Sequence, residues 1–168
     1  MIEREVQGTL KFGGGNIMVW GCIGWNGIGQ LAEVEGRMNA KQYVDILENH
    51  LLPSMEKSGI TLEDLIFQQD NDPKHTSGAA IEWIEDQGIT FLDWPPQSPD
   101  LNPIEHLWGH MKKELVKYPT PAKGVWQLWE RASEVWTKID PEVCQNLIES
   151  MPRRLEAVIK AKGGHTKY

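Results

Sequence analysis

The sequence has little cysteine and lacks a long apolar run. Its 168 residues include two cysteines, Cys22 and Cys144, which lie far apart. A disulfide framework is therefore not indicated, and a reducing compartment is the default expectation. No apolar stretch approaches the about 20 residues that a membrane helix needs, so no membrane partner is expected. The polar stretch "IEREVQG" after Met1 is not typical of a secretory signal.

A net positive charge is also missing. The formal net charge of −7 argues against a protein that coats nucleic acid without specificity. The final stretch "RRLEAVIKAKGGHTKY" departs from this balance, because a single acid, Glu156, accompanies its basic residues Arg153, Arg154, Lys160, Lys162 and Lys167. A basic end on an acidic body fits a nucleic-acid partner. A solvated helix end explains it equally well.

Hydrophobic patterning predicts alternating strands and helices in the first two thirds of the chain. The run "NIMVWGCIG" is nearly all apolar and predicts a buried strand. An Asn-Gly turn then leads to a predicted hairpin partner. Apolar residues spaced by three and four, with Gly59 as the stop, predict an amphipathic helix. The predicted strands cover 16–24, 29–36, 65–70 and 89–94, and the helices cover 40–58 and 76–88. This alternation indicates an α/β domain.

The last third is predicted to be helical. Apolar stripes mark two helices, and Asp140-Pro141 gives a third helix a cap and a proline at its first position. The stripes comprise Ile104, Leu107, Trp108, Met111 and Leu115, then Val125, Leu128, Trp129, Ala132 and Trp136. We expect the tryptophans among them to belong to the core. The chain is predicted to be one domain, 1–168, with a sheet-bearing core over 1–118 and a helical tail over 119–168.

The stretch "DWPPQSPDLNPIEHLW", residues 93–108, places a carboxylate in the first turn of a predicted helix. Asn102 suits the N-cap and Pro103 the first helical position, which puts Glu105 third. In a capping box of this pattern, Glu105 would accept a hydrogen bond from the Asn102 amide. Alternatively, the carboxylate points outward from the helix start and holds a metal ion. The local sequence leaves both roles open.

Asp70 is the second carboxylate of interest. It closes a short apolar strand and enters the proline-containing turn of "FQQDNDPKHTS". Residues at the carboxyl ends of strands in α/β sheets are well placed to meet ligands. A turn aspartate that binds its own backbone is the alternative. Asp72 precedes Pro73 and suits such a turn better, so it is the weaker ligand candidate.

Together, Asp70 and Glu105 are the right groups for a divalent-metal site. Mg²⁺ prefers oxygen ligands from a few carboxylates plus water. Two such ions can clamp the attacking and leaving oxygens of a phosphodiester. The 34 intervening residues, 71–104, leave room for one helix, one strand and the proline loop.

The two acids, their spacing and "WPPQSPDLNPIEHLW" closely resemble the transposases of the mariner superfamily. The segments "FGGGNIMVWGCIG" and "AVIKAKGGHTKY" are also similar to family segments, so the resemblance spans nearly the whole chain. It implies an α/β, ribonuclease-H-like (retroviral-integrase-type) mixed sheet with flanking helices and a helical carboxyl-terminal extension. It matches Asp70 and Glu105 to the second and third acids of an Asp-Asp-Glu triad, as catalytic and metal-binding residues.

The resemblance further implies DNA transposition and integration in the nucleus. The family reaction depends on Mg²⁺ or Mn²⁺: water cleaves a phosphodiester at the transposon end, and the freed 3′-hydroxyl attacks target DNA. Transposon ends and target DNA are then the partners. The predicted DNA contacts are basic residues near the two acids or in the final stretch, namely Lys74, His75, Lys112, Arg153 and Arg154. An ordinary surface lysine remains the alternative for Lys112.

The chain departs from the family pattern at the first acid. The family's first Asp lies on a strand upstream of the glycine-rich segment, where Glu3 and Glu5 are the only carboxylates here and no apolar strand is evident. No segment matches the family's helix-turn-helix either. We therefore expect the first, central strand to be missing, which would expose two strand edges and favour self-association. Catalysis should be impaired, and a non-catalytic, transposase-derived domain that binds nucleic acid or protein is the alternative.

A zinc site is a further possibility. His106 and His110 are four residues apart on one predicted helix, a spacing that can bind zinc. Neither a cysteine pair nor a third ligand follows at a suitable spacing, so we expect solvent-facing histidines instead.

Overall fold

The fold is organised around one mixed sheet. The computed structural model describes residues 2–5, 8–11, 15–95, 98–164 and 166–167, with side chains from Leu10 onward. In this part of the chain the sheet has six strands. They are β1 (Ile2–Glu5), β2 (Gly8–Lys11), β3 (Asn16–Gly24), β4 (Gly27–Val34), β5 (Ile66–Gln68) and β6 (Thr90–Phe91). The strands predicted over 16–24, 29–36, 65–70 and 89–94 are confirmed, with β5 and β6 shorter than expected.

The strand pairing is antiparallel on one side of the sheet and parallel on the other. β3 pairs antiparallel with β4 along one edge and with β2 and β1 along the other. β1 also pairs in parallel with β5, and β5 pairs in parallel with β6. The carboxyl end of β5, where Asp70 follows, therefore lies beside the central strand.

The central strand position is filled, so the prediction that this strand is missing is wrong. Arg4 of β1 lies opposite Ile23 of β3 on one side and opposite Gln68 of β5 on the other. Strand pairing uses main-chain groups, so the charged stretch "IERE" can form a ladder without an apolar pattern. The two predicted exposed edges do not exist, and the prediction of self-association loses that support.

Helices cover both faces of the sheet. The helix predicted over 40–58 is confirmed as α1 (Ala40–Ile46), a wider π-type stretch (Leu47–Leu51) and α2 (Leu52–Ser58), ended by Gly59 in the left-handed conformation with φ 73°. The others are α3 (Gly78–Asp86), a 3₁₀ turn (Pro99–Leu101), α4 (Ile104–Val116), α5 (Val125–Thr137), α6 (Pro141–Glu149) and α7 (Met151–Lys160). Asp140 caps α6 as predicted, accepting a hydrogen bond from the Glu142 amide at 2.9 Å.

The buried side chains form two clusters, one on each side of the sheet. One cluster joins β3 to α4 and α5 and includes the whole predicted stripe of α4. The other joins β3, β4 and β5 to α1, α2 and α3, through residues such as Trp20, Tyr43, Leu47, Phe67 and Ile84. The helix–sheet–helix layering fixes α4, and with it Glu105, against the face opposite α1.

Two tryptophans anchor α4 and α5 to the sheet. The rings of Trp108 and Trp136 stack with centroids 5.4 Å apart, and both side chains are 2% exposed. Gly21 of β3 makes room for them, because a Cβ there would lie 3.0 Å from Trp136 and 3.1 Å from Trp108. The Trp136 indole N–H also donates to the carbonyl of Gly29 at 2.9 Å. The core role predicted for Trp108 and Trp136 is confirmed, whereas Trp129 is half-buried.

The composition indicated neither a disulfide framework nor a membrane helix. Cys22 and Cys144 are both buried, and no disulfide joins them. Within the described residues, the helices are all too short or too polar to span a membrane.

We predict that Trp136→Phe lowers the free energy of unfolding by about 1–3 kcal/mol, because it leaves the Gly29 carbonyl without its indole donor. Urea denaturation followed by circular dichroism measures this change. Trp126→Phe is the matched control, since the Trp126 side chain is 72% exposed and should change stability by less than about 0.5 kcal/mol. Equal effects of the two substitutions would contradict the anchoring role of Trp136.

Candidate functional site

Asp70 lies just beyond the end of β5 and is oriented by its neighbours. Its Oδ1 atom lies 2.5 Å from Nδ1 of His75 and accepts a hydrogen bond from the Asp72 amide at 3.1 Å. Among the described residues, no hydrogen bond or ion pair reaches the other oxygen, Oδ2. The side chain is 41% exposed. One oxygen is thus fixed by the protein while the group still faces solvent.

His75 connects Asp70 to the core. Its side chain is 1% exposed, and its ring lies against the Tyr43 ring with centroids 4.3 Å apart. The His75 carbonyl accepts from the Gln69 side-chain amide at 2.9 Å, and the Gln69 side-chain oxygen accepts from the Tyr43 hydroxyl. Tyr43 therefore supports both the ring and the loop that carry the Asp70 hydrogen bond.

The turn after Asp70 is built by Asp72. The Asp72 carboxylate accepts from the Lys74 amide at 2.9 Å, and its carbonyl accepts from the His75 amide at 2.9 Å. This is the local backbone role that the sequence left open for an aspartate in this turn. Asp72 takes this role, and Asp70 shares it through the hydrogen bond from the Asp72 amide, while the Asp70 side chain remains 41% exposed.

The surroundings hold Asp70 in its ionised form. Burial opposes ionisation, but the hydrogen bond and charge of His75, the Asp72 amide and the charge of Lys74 outweigh it. The pKa of the Asp70 carboxyl is therefore below its ordinary value. A carboxylate that stays ionised at neutral pH is ready to bind a cation.

Glu105 begins α4, but the predicted capping box is not formed. The Asn102 amide donates to the Pro99 carbonyl at 2.9 Å, and the Glu105 amide donates to the Asn102 carbonyl at 3.2 Å. The 3₁₀ turn Pro99–Leu101 has thus already taken the donor that Glu105 would have bound, and α4 has no side-chain cap. The Glu105 side chain is exposed instead, in the outward orientation that the sequence offered as the alternative.

The structure brings Glu105 within electrostatic reach of Asp70. The pKa of the Glu105 carboxyl is raised, by partial burial and by the negative charge of Asp70, against the opposing charge of Lys112. The charge of Asp70 therefore acts on Glu105, although residues 71–104 separate the two acids in the sequence. A nearby like charge disfavours the ionisation of an acid when no cation is present. Acids with perturbed pKa values are typical of functional sites.

Basic side chains flank the two acids. Lys74 acts on the charge of Asp70 and Lys112 on that of Glu105. Lys112 is exposed, whereas Lys74 is half-buried with its ammonium 3.1 Å from an Asp72 oxygen. Arg153, also predicted to contact DNA, is exposed on α7. The predictions for these three residues stay predictions, and their positions are compatible with them.

Two of the predicted DNA contacts are buried instead. His75 is 1% exposed and is engaged with Asp70 and Tyr43. Arg154 is 2% exposed and donates to the Asp100 carbonyl at 3.0 Å. Neither side chain presents a surface to a DNA strand in this structure, so burial gives these two predictions no support. Charge and chain position alone do not reveal that a basic group is used inside the protein.

Sequence reasoning also missed Tyr43 and Gln69. Tyr43 precedes Leu47, Leu51 and Met55 at a constant spacing of four, so it continues the buried stripe of its helix. That periodicity would have placed Tyr43 in the core. The contact of Gln69 with Tyr43 joins residues 26 positions apart and leaves no local signal in the sequence.

The two histidines of α4 do not form a zinc site. His106 lies beside Arg154, 3.3 Å from its guanidinium, while His110 lies next to Glu114 and Lys117 in a surface groove. Within the described part of the chain, no three His, Cys, Asp or Glu side chains gather in a metal-binding arrangement.

Comparison with known proteins identifies the family. The model of the DDE superfamily endonuclease family matches residues 5–123. The Tcb1 transposase of Caenorhabditis briggsae is 44% identical over 160 residues, which cover 95% of this chain and 57% of that protein. The Tc1 transposase of Caenorhabditis elegans is 42% identical over 161 residues, again 95% of this chain and 57% of that protein.

The chain belongs to the DDE endonuclease superfamily. Its identified relatives are transposases of the Tc1/mariner group, which confirms the predicted family. The chain spans little more than half the length of these curated relatives, 57% for both.

Solved structures confirm the ribonuclease-H-like fold of this DDE domain. The catalytic domain of the Mos1 mariner transposase matches with a TM-score of 0.87 at 21% identity, over 99% of this chain and 84% of that one. The Mos1 paired-end complex with Mn matches with a TM-score of 0.85 at 19% identity, over 99% of this chain and 56% of that one. At these identities the likeness establishes the fold.

Asp70 and Glu105 fit a divalent ion of the kind that DDE endonucleases use. Mg²⁺ is commonly bound by one or two carboxylates, with water and substrate phosphates completing the shell. The site has an exposed Glu105 and a half-buried Asp70 whose charge acts on it, and the hydrogen bonds from His75 and the Asp72 amide reach Oδ1 of Asp70. Its oxygen donors exclude the soft-metal chemistry of thiolate sites. The donor set therefore fits Mg²⁺ or Mn²⁺.

We predict opposite stability effects for the two acids in metal-free protein. Because the pKa of Glu105 is raised in the folded state, its ionisation destabilises the fold, and this cost appears as pH rises through and above about 4.5. Glu105→Gln should therefore raise the melting temperature at pH 7, and the gain should vanish at pH 4.

Asp70→Asn should lower the melting temperature at pH 7. Its pKa is depressed in the folded state, so its stabilisation is present above about pH 4 and is lost as pH falls further. Calorimetry in EDTA from pH 3 to pH 8 measures both effects. If Glu105→Gln destabilised the protein at pH 7, the predicted cost of ionising Glu105 in the folded state would be refuted.

Proposed function

We propose that this DDE domain takes part in transposase-type DNA strand cleavage and transfer at a divalent-metal site formed by Asp70 and Glu105. The observation that carries the proposal is that Asp70 follows β5, Glu105 stands in the first turn of α4, and the charge of Asp70 acts on Glu105. Partial burial is the largest cause of the raised pKa of Glu105, and the charge of Asp70 adds to it against the charge of Lys112. Exposed charges separated by more than a Debye length are largely screened from each other.

Asp70 and Glu105 would hold Mg²⁺ or Mn²⁺. The bound ion supplies Lewis-acid polarisation and neutralises charge on a reacting phosphodiester. The contribution of the chain is orientation. His75 and the Asp72 amide hold Oδ1 of Asp70, which directs the remaining oxygen to the ligand. The rigid start of α4 presents Glu105 from the other side.

Lys112 and Lys74 are the groups of the site that suit DNA. Each lies close enough to one acid to affect its pKa. An ammonium in that place can bind a phosphate oxygen next to the scissile bond. DNA is therefore the proposed partner, in the form of transposon ends and target, and the nucleus is the proposed site of action.

The relatives support the same assignment. Solved structures of the Mos1 catalytic domain include forms with Mn and with Mg, and Mos1 has been solved as a strand transfer complex. We further propose that cleavage by this chain is weak, since the described residues supply two carboxylates where the family triad has three.

We predict that the purified chain nicks supercoiled plasmid slowly in Mn²⁺ or Mg²⁺ and not in EDTA. Asp70→Asn and Glu105→Gln should each reduce nicking at least about 10–100-fold, because each removes a proposed metal ligand. Agarose gel electrophoresis of nicked and supercoiled forms gives the rates. Glu82→Gln, which changes an exposed carboxylate of α3, is the control and should nick at the wild-type rate.

The alternative, a non-catalytic nucleic-acid-binding domain, predicts another pattern. The wild-type chain would then bind DNA in a gel-shift assay without nicking it in either metal. Binding would also survive the Asp70 and Glu105 substitutions. Nicking that persisted in both substituted chains would show instead that these acids do not form the site.

A further inference from the structure

A buried arginine binds the 3₁₀ turn Pro99–Leu101, which precedes Glu105. Arg154, in the first turns of α7, is 2% exposed. Its Nε donates to the Ser150 hydroxyl at 2.7 Å, and its Nη1 donates to the Asp100 carbonyl at 3.0 Å. Asp100 lies in the 3₁₀ turn Pro99–Leu101. Arg154 of α7 therefore binds the main chain of the turn that leads into α4.

The same guanidinium also reaches the first turn of α4. Its Nη2 lies 3.3 Å from Nδ1 of His106, the residue directly after Glu105. Arg154 thus contacts the chain on both sides of the loop–helix junction, at Asp100 and at His106.

Thr166 also binds this turn. The amide and the hydroxyl of Thr166 both donate to Oδ2 of Asp100, each at 2.8 Å. The main chain of Asp100 is therefore bound by Arg154 and its carboxylate by Thr166. Two contacts to one residue of a 3₁₀ turn restrict both its position and its rotation.

The geometry of the junction between the 3₁₀ turn Pro99–Leu101 and α4 determines the orientation of the Glu105 side chain. The Leu101 and Asn102 side chains are 2% exposed, and the Asn102 and Glu105 amides bond back to the turn. A shift of the turn would therefore move the start of α4 as well. A planar guanidinium can bind several acceptors in one fixed arrangement, which an ammonium cannot do.

We propose that Arg154 is a positioning residue. It fixes the junction between the 3₁₀ turn Pro99–Leu101 and α4, and so orients the Glu105 side chain relative to Asp70. This role rests on the metal site proposed above. Arg154 does not contact the metal or the DNA, and its effect is transmitted through Asp100 and His106. The last helix is thereby coupled to the active centre through one side chain.

The first arm of the test measures the junction without metal. Hydrogen exchange followed by mass spectrometry, in EDTA, compares the wild type with Arg154→Met and with Lys160→Met. Lys160 is an exposed basic residue of the same helix and serves as the control. We expect Arg154→Met to speed exchange about tenfold or more in a peptide covering residues 101–107, while peptides from β3 and α3 keep wild-type rates.

The second arm measures Mn²⁺ binding by electron paramagnetic resonance. Arg154→Met should weaken the Asp70- and Glu105-dependent affinity by about 10–100-fold, the usual effect of losing a group that orients a metal ligand. Lys160→Met should leave the affinity unchanged. Arg154→Lys, which keeps the charge but loses the planar fork, should fall between Arg154→Met and the wild type in both arms. It also serves as the test if Arg154→Met does not fold.

The outcomes separate this inference from the proposed function. Wild-type exchange over 101–107 in the Arg154 variants, or exchange accelerated uniformly through the whole chain, would overturn the positioning role. If the wild type binds no Mn²⁺ in a manner that depends on Asp70 and Glu105, the proposed function fails. The exchange result then decides alone whether Arg154 positions Glu105.

Discussion

The electrostatic coupling of two carboxylates is the constraint on which the rest of the proposed site depends. Asp70 and Glu105 come from the end of a strand and the start of a helix, and the pKa of Glu105 is raised by partial burial and, in smaller part, by the charge of Asp70. The fold stabilises the ionised form of Asp70 but not that of Glu105. His75 and the Asp72 amide favour the Asp70 carboxylate, whereas Glu105 remains exposed and partly uncompensated. A divalent cation would relieve this imbalance.

Rigid contacts from distant segments keep the two acids in place. Tyr43 of α1 supports His75 on one side of the sheet, and Arg154 of α7 holds the turn before Glu105 on the other. The Trp108–Trp136 stack fixes α4 and α5 against β3, where Gly21 leaves room for the rings. An active centre placed by packed elements in this way can be precise without long-range flexibility.

The sequence predicted what depends on local pattern and residue type. Strand β3, the stripe of α4 and the cap at Asp140 all follow from periodicity or turn chemistry. The missed features depend on contacts distant in sequence. The central position of "IERE" is fixed by main-chain pairing, and the buried roles of His75 and Arg154 by partners in folded space. The capping box failed because the turn at Pro99 had already used the Asn102 amide.

The central claim is that Asp70 and Glu105 hold one divalent ion between them. Crystals of the chain grown with Mn²⁺, and measured at a wavelength where manganese scatters anomalously, test it most directly. The account predicts an anomalous peak bonded to one carboxylate oxygen of Asp70 and one of Glu105, absent from crystals of Asp70→Asn. A manganese peak bound elsewhere, with the two acids unliganded at saturating Mn²⁺, would contradict it.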